Sequence, residues 1–262
     1  MFDPFSRLKN APPDPQVPPT PSVPYTLRVS HRAKCARLKM TPHGGLEVVV
    51  PRGYDKRQIP LLLLHHDAWI KKTAARFEAE RPEPQPCREN GLPQLIAFPH
   101  FKEEWRVEYV HAGSGEVRLD EGAAAILRVS GDIDDAALCQ SLLSTWLKKR
   151  AKSLLVPSLE SVAAAHGFRF TSAGVRLQNS RWGSCSSRRS IILNAKLLFL
   201  PDYLVRYIMV HELCHTVHMN HSRAFWSLVR LHDPLWRSND REMKTAWKYV
   251  PAWVAARTPV AP

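Results

Sequence analysis

The sequence of 262 residues lacks any run of about 18 apolar residues, the length that a membrane-spanning helix needs. Its densest apolar segment, residues 59–64, is short and contains Pro60. The N-terminus, MFDPFSRLKN, also lacks the apolar stretch of a secretory signal peptide. These absences predict that the chain neither enters a membrane nor is secreted, so we expect it in the cytoplasm.

Cysteine is also scarce, with five residues scattered at positions 35, 87, 139, 185 and 214. An odd and unclustered set argues against a framework of disulfide bonds. It is typical of a protein that stays in a reducing compartment.

Acidic residues are few beside basic ones, with 24 Asp and Glu against 37 Lys and Arg and a formal net charge of +13. Such an excess attracts phosphate-rich or acidic partners over long distances. The basic residues are dispersed, however, so solubility alone explains the charge equally well. Weak affinity for nucleic acid or a phosphate ligand therefore stays open as an alternative.

Proline divides the chain into an arm and a domain. Residues 1–24 hold eight of the 22 prolines, and proline removes a backbone donor and fixes φ, so we expect this arm to be disordered. Residues 25–256 have the apolar content of a folded domain, followed by a short tail at 257–262. A β-rich part at about 25–130 and a helical part at about 131–256 make the predicted fold class α+β.

Apolar residues alternate along short segments of the β-rich part, which is typical of half-buried antiparallel strands. A helical segment at about 56–80 and a proline-rich loop at 81–93 interrupt them. Turns are expected at residues 43–45, 112–115 and 120–122. The predicted strands cover residues 25–29, 36–40, 46–50, 94–98, 105–110, 116–119 and 125–129.

A long helix opens the helical part, with Asp132 or Asp134 as its N-cap, and runs to about residue 155. Pro157 should interrupt it. Pro201 suits the first position of a later helix, because its missing N–H has no intrahelical partner there. The remaining predicted elements are a helical segment at 159–166, which is either a separate helix or the continuation of the long one, and strands at 174–177 and 190–194.

The later helix carries the pattern H-E-x-x-H, formed by His211, Glu212 and His215. Residues four apart return to nearly the same helix face, so the two imidazoles can hold one cation. Glu212 lies about 100° further round, where its carboxylate could take a proton from water on that cation. The preceding residues 204–210 are mostly apolar, so the helix should be buried, where an unpaired carboxylate costs several kcal/mol. A bound dication offsets that cost; the alternative is a chance pattern of core histidines.

Two histidines leave a zinc site incomplete, because catalytic zinc usually has three protein ligands. His218 shares the helix face but lies roughly 10 Å along the axis from His211, too far to share the cation. His221 reaches the site if the helix ends near residues 219–220, where an asparagine tolerates the left-handed conformation. Ser222 can then cap a further helix. His221 is therefore the favoured third ligand, and His218 is expected to orient a ligand or to pack.

These segments resemble the YgjP-like branch of the SprT-like zinc metallopeptidases. The matching pieces are RWGSCSS at 181–187, IILN at 191–194, and HELCH followed by MNHSRAFW within 211–226. The resemblance covers roughly residues 25–253. It implies a zincin-like metallopeptidase domain in which one zinc ion is held by His211, His215 and His221. Glu212 would be the catalytic base.

The function predicted on this basis is zinc-dependent hydrolysis of peptide bonds in a protein or peptide substrate. Glu212 takes the proton of a zinc-bound water and passes it to the leaving amine. The resemblance also implies that the strand at 190–194 pairs with the extended substrate. Arg181 and Tyr203 are two candidates for stabilising the oxyanion. The alternatives are a metal-dependent phosphohydrolase acting on nucleotides and a zinc-stabilised module that binds nucleic acid.

Overall fold

The structure is a computed structural model that describes residues 24–41, 45–79, 86–113 and 116–255. The predicted arm, apart from Pro24, and the predicted tail lie outside these ranges, as do parts of the turns at 43–45 and 112–115 and of the loop at 81–93. The chain forms two compact units, one up to Arg76 and one from Phe77 onward. The predicted domain bounds remain predictions. Within the described ranges, no helix is both long and apolar enough to cross a membrane.

The first unit is a three-stranded sheet with two helices. Its elements are β1 (Tyr25–Ser30), β2 (Arg37–Thr41), β3 (Gly45–Pro51), α1 (Ile59–His65) and α2 (Asp67–Ala79). The most apolar strand, β3, lies between the other two, and its buried residues Leu46, Val48 and Val50 contact a core that both helices share. The helical segment predicted at 56–80 is split at His66, whose backbone leaves the helical region.

Strand pairing in this unit is mixed, although the alternating pattern led us to expect antiparallel strands. β2 and β3 are antiparallel, but β1 pairs with β3 in parallel. β3 is the central strand, with β1 and β2 on its two sides. Since β1 and β2 run in opposite directions, β3 can be antiparallel to only one of them. Alternation predicts which face of a strand is buried and carries no information about its neighbours.

The second unit contains a four-stranded sheet that packs on a long helix. The strands are β4 (Leu95–Phe98), β5 (Glu103–His111), β6 (Arg118–Gly122) and β7 (Ile126–Gly131), in the order β4-β5-β7-β6. Here too one pair, β5 with β7, is parallel. The helix α3 (Ala136–His166) places the Trp146 ring against Phe98 and Trp105 of the sheet, with ring centroids 6.0 and 5.4 Å apart.

Helix α3 differs from the prediction at its start and in its middle. Its N-cap is Asp135 rather than Asp132 or Asp134, because the Asp135 side chain accepts a hydrogen bond from the third N–H of the helix. The helix also runs unbroken through Pro157. Proline leaves the carbonyl four residues earlier without a helical partner, but Ser153 and Pro157 are both exposed, so water can take that bond. Buried leucines before and after the proline keep both halves packed.

The rest of the second unit holds a small sheet and the helix with the H-E-x-x-H pattern. Its strands are β8 (Ser172–Arg176), β9 (Gly183–Cys185) and β10 (Ser190–Asn194), in the order β8-β10-β9. The helices are α4 (Asp202–Cys214), α5 (Arg223–His232), α6 (Trp236–Met243) and α7 (Ala252–Ala255). Pro201 is the N-cap of α4, one position before its predicted place, and most of α4 from Leu204 onward is buried. These elements confirm the α+β class, with a β-rich N-terminal and a helical C-terminal part.

A buried polar cluster after β10 holds the loop that leads into β9. The Asn194 side chain accepts a hydrogen bond from the N–H of Gln178 and donates to the carbonyls of Gln178 and Arg181. Lys196 is only 2% exposed, and its ammonium group donates to Oδ1 of Asn179 at 2.9 Å. Burial lowers the pKa of Lys196 to about 8.

We expect the Lys196→Met substitution to change how stability depends on pH. The folded chain releases the Lys196 proton near pH 8, whereas the unfolded chain keeps it until about pH 10.5. Between these values the unfolded state binds more protons, so the unfolding free energy of the wild-type chain rises with pH. Lys196→Met should remove that rise, roughly 2 kcal/mol, in urea unfolding from pH 7 to 10. Exposed Lys148→Met is the control; equal slopes for the two variants would contradict this explanation.

Candidate metal centre

Three imidazole nitrogens come together at the C-terminal end of α4. The Nε2 atom of His211 lies 3.2 Å from Nε2 of His215 and 3.1 Å from Nε2 of His221. All three ligand atoms lie within 4.8 Å of one another. His211 and His215 are one helical turn apart, as their spacing predicts, and His221 comes from the segment before α5. The structure thus brings together the three histidines that the sequence indicated.

Helix α4 ends earlier than its sequence led us to expect. It stops at Cys214, and residues 215–217 form a turn, whereas the predicted end was near 219–220. The hydroxyl of Thr216 donates to the helix carbonyl three residues earlier at 2.7 Å and so competes with the helical hydrogen bonds. The early end lets the chain reverse direction before His221.

His218 contributes its backbone to the cluster. Its carbonyl accepts a hydrogen bond from Nδ1 of His215 at 3.0 Å. That bond places the proton of a neutral His215 ring on Nδ1 and leaves the Nε2 lone pair facing the other two rings. The His218 imidazole is not one of the converging groups.

Aromatic rings from the first turn of α5 support the three histidines. Phe225 is fully buried, and its ring centroid lies 5.0, 4.5 and 4.8 Å from those of the three imidazoles in chain order. Trp226 stacks on His221 at 5.5 Å. Ser222 caps this helix, as predicted, by accepting a hydrogen bond from the N–H of Phe225. The sequence predicted a helix after Ser222, but only the fold shows that its two aromatic rings contact the histidines.

The environment of His211 favours a neutral ring with a free lone pair. Burial, followed by the nearby His215 and His221 rings, lowers the pKa of His211 to about 3. Nε2 of His211 lies 3.2 Å from Nε2 of His215 and 3.1 Å from Nε2 of His221, and nitrogen lone pairs this close repel unless a cation lies between them. Nitrogen ligands about 2.05 Å from a tetrahedral zinc ion are separated by roughly 3.3 Å. The donor set therefore fits a single small dication.

Glu212, which follows the first of these histidines, is 5% exposed. Burial raises its pKa to about 8, and the positive charge of Arg181 opposes that rise. Its Oε2 atom has no hydrogen-bond partner among the described residues. Leaving a buried carboxylate oxygen without a partner is costly, and groups in that state are common at functional sites. The carboxylate of the residue that follows His211 is therefore free to accept a proton.

The two candidates for oxyanion stabilisation lie in different places. Tyr203 donates its hydroxyl to Oε1 of Glu242 at 2.8 Å. It also lies two helical turns before His211, roughly 12 Å along the axis of α4. Arg181 is exposed and is close enough to Glu212 to affect its pKa. Of the two, Arg181 is the one near the site.

The strand expected to pair with substrate, β10, has no open edge. It pairs with β8 in parallel and with β9 antiparallel, so its backbone is used on both sides and the prediction for residues 190–194 is wrong. The outer strand that contacts α4 is β9. On β9, burial and then the charge of Glu212 raise the pKa of Cys185 to about 11, so its thiol stays protonated and is a poor nucleophile. All five cysteines are free, as predicted.

A second group with converging ligand atoms consists of His111, Asp132 and Asp134. All three are exposed, and Asp132 already accepts a hydrogen bond from the N–H of Asp134 in a local turn. Exposed acidic groups often occur together without a metal, so we assign no site there.

Known proteins were compared with the chain at the levels of structure, sequence and family. The crystal structure of the metallopeptidase zymogen of Pyrococcus abyssi abylysin is similar, with 24% identity and a TM-score of 0.32, over 35% of this chain and 93% of that one. No curated protein matches the chain. A family model for the YgjP-like metallopeptidase domain matches residues 34–246, and a metallopeptidase family implies a divalent metal. Because that match spans more than half of the sequence, the chain belongs to the YgjP-like metallopeptidase family.

Proposed function

We propose that the chain hydrolyses peptide bonds with one zinc ion held by His211, His215 and His221. Glu212 is the general base of this reaction. The proposal is carried by two observations on one helix end. Three imidazole nitrogens meet there, and the residue next to His211 has a buried carboxylate oxygen with no partner in the described ranges. Histidines with a purely structural role would direct their ring nitrogens to separate partners, whereas these direct them at one another.

Zinc is the metal that this donor set suits best. Imidazole nitrogens favour zinc over calcium and magnesium, which take oxygen ligands. Three protein ligands also leave one position open, as in other catalytic zinc sites. When bound, zinc acts as a Lewis acid that lowers the pKa of water towards ~7 and polarises a carbonyl group.

The residues of the chain supply proton transfer and orientation. Glu212 takes a proton from the attacking water and passes it to the nitrogen of the leaving amine. Burial raises the pKa of the Glu212 carboxyl group and Arg181 opposes that rise. A zinc ion held by the neighbouring histidines would lower this pKa further and keep the carboxylate able to accept the proton. The outer edge of β9 offers backbone groups to an extended peptide, which fixes the scissile bond relative to α4.

A phosphate-containing substrate is the alternative that a specific observation favours. Arg188 and Arg189 are exposed in the turn between β9 and β10, and Arg181 is exposed just before β9. The whole segment 161–201 contains no Asp or Glu. Such a basic surface attracts nucleotides or nucleic acid. A phosphohydrolase would use the same metal site, whereas a module that only binds nucleic acid would not need Glu212.

Metal dependence measured with two substrates tests the proposal. After zinc loading and desalting, elemental analysis should find about one zinc ion per chain. A chelator should abolish the cleavage of an unstructured protein such as casein, and added zinc should restore it. Nucleoside triphosphates should release no phosphate under the same conditions. Phosphate release without casein cleavage would replace the peptidase with the phosphohydrolase, and a chain that retains no zinc would overturn both.

A further inference from the structure

We propose that Gly183 is a positioning residue for the Glu212 carboxylate. The absence of a side chain at Gly183 gives that carboxylate its place against β9, and the strand backbone then limits where it can move. The proposal rests on the proposed function, because it takes Glu212 as the general base. It assigns a role in the reaction to a residue that has no side chain to bind metal, substrate or proton.

The contact between the two residues is very close. A Cβ atom built on Gly183 would lie 2.6 Å from Oε1, 2.7 Å from Cγ and 2.8 Å from Cδ of Glu212. Non-bonded heavy atoms at their optimal separation are about 3.5–4.0 Å apart. Any side chain at this position would therefore overlap three atoms of the Glu212 side chain.

The backbone conformation does not itself demand glycine. Gly183 has no left-handed φ, unlike six other glycines of the described chain. It also pairs in regular antiparallel register with Leu193 of β10. An ordinary residue can adopt this backbone. What a side chain would lack is space beside Glu212.

The strand cannot move away to make that space. Trp182, the preceding residue, is buried and stacks on the Trp247 ring at 4.1 Å. Its carbonyl accepts a hydrogen bond from the N–H of Asn194 at 2.8 Å. The helix on the other side is equally constrained, because Leu213 and Cys214 of α4 are fully buried. The movable part of the contact is the end of the Glu212 side chain.

Gly183→Ala should therefore displace the base and leave the rest of the site in place. We expect kcat to fall roughly 100-fold with little change in KM, because a shift of about 1 Å in a reacting group costs about that much. Zinc content should stay at the wild-type level, since the three atoms nearest to the added Cβ all belong to Glu212 and not to a histidine. The matched control is Gly174→Ala in β8 of the same sheet, where a Cβ would meet only the end of the Ile192 side chain at 3.2 Å.

A thermal denaturation cycle tests the same contact without using activity. In the wild-type background, Gly183→Ala should lower the Tm of the zinc-loaded protein by about 5 °C, because it crowds a buried side chain. In the Glu212→Ala background the three overlapping atoms are gone, so the same substitution should not lower the Tm.

Each outcome has a definite meaning. Equal Tm changes in the two backgrounds, full kcat in Gly183→Ala, or loss of zinc from that variant would overturn the positioning role. Full activity of Glu212→Gln would instead overturn the proposed function, so the two failures can be told apart.

Discussion

Glu212→Gln should abolish turnover while zinc stays bound. The amide keeps the shape of the carboxylate but cannot accept the proton of the attacking water. General-base catalysis contributes about 10²–10⁴-fold, so kcat should fall by at least that range while KM changes little. Glu212 is not one of the three converging ligands, so elemental analysis of the same preparation should still find zinc.

The control for this substitution is Glu160→Gln, which makes the same chemical change at an exposed position of α3. It should retain wild-type kcat. The Tm of Glu212→Gln should not fall, because the wild-type carboxylate already has a buried oxygen without a partner in the described chain. A zinc-loaded Glu212→Gln protein with wild-type activity would remove Glu212 from the reaction. If that protein also bound DNA in a salt-sensitive way, the nucleic-acid-binding module would be the better interpretation.

The nitrogen cluster could be predicted because its geometry is mostly local. His211 and His215 meet because residues four apart on a helix always lie on one face. The choice between His218 and His221 depended on where α4 ends, and axial rise alone excluded His218. The predicted end was several residues too late, yet the structure brings His221 to the other two rings. The prediction of His221 needed only that the chain turns back towards His211 after α4, and not the residue at which it turns.

Features that depend on the rest of the fold could not be predicted in the same way. Alternating residues indicate a strand but not its neighbours, so the parallel pairs and the central place of β10 were missed. Proline tends to break a helix, but its effect here depends on the exposed position of Ser153 and Pro157 and on buried leucines nearby. The Asn194 amide binds the Arg181 carbonyl, and Gly183 leaves space for the Glu212 side chain. Both contacts join segments that are distant in sequence, so no local sequence pattern predicts them.

His221→Ala should lose zinc without losing the fold. The substitution leaves two ligands, so zinc affinity should fall by more than the ~10–100-fold that loss of an outer hydrogen-bond partner costs. His221 is exposed, so its removal creates no buried cavity and the metal-free protein should unfold at the wild-type Tm. Zinc should raise the Tm of the wild-type chain but not that of the variant, because only a bound ligand stabilises the folded state. Zinc titration monitored by thermal denaturation measures both effects.

His218→Ala is the matched control, because it removes an imidazole three residues away from His221. His218 uses its carbonyl to orient His215, and alanine keeps that carbonyl, so zinc affinity and casein cleavage should stay near wild type. If His218→Ala lost zinc while His221→Ala kept it, the ligand set would have to be His211, His215 and His218. That set would require the chain after Cys214 to bring His218 to the other two rings, which contradicts the turn at 215–217 and the 3.1 Å approach of His221 to His211. The pair of variants therefore separates a backbone role from a side-chain role within one short loop.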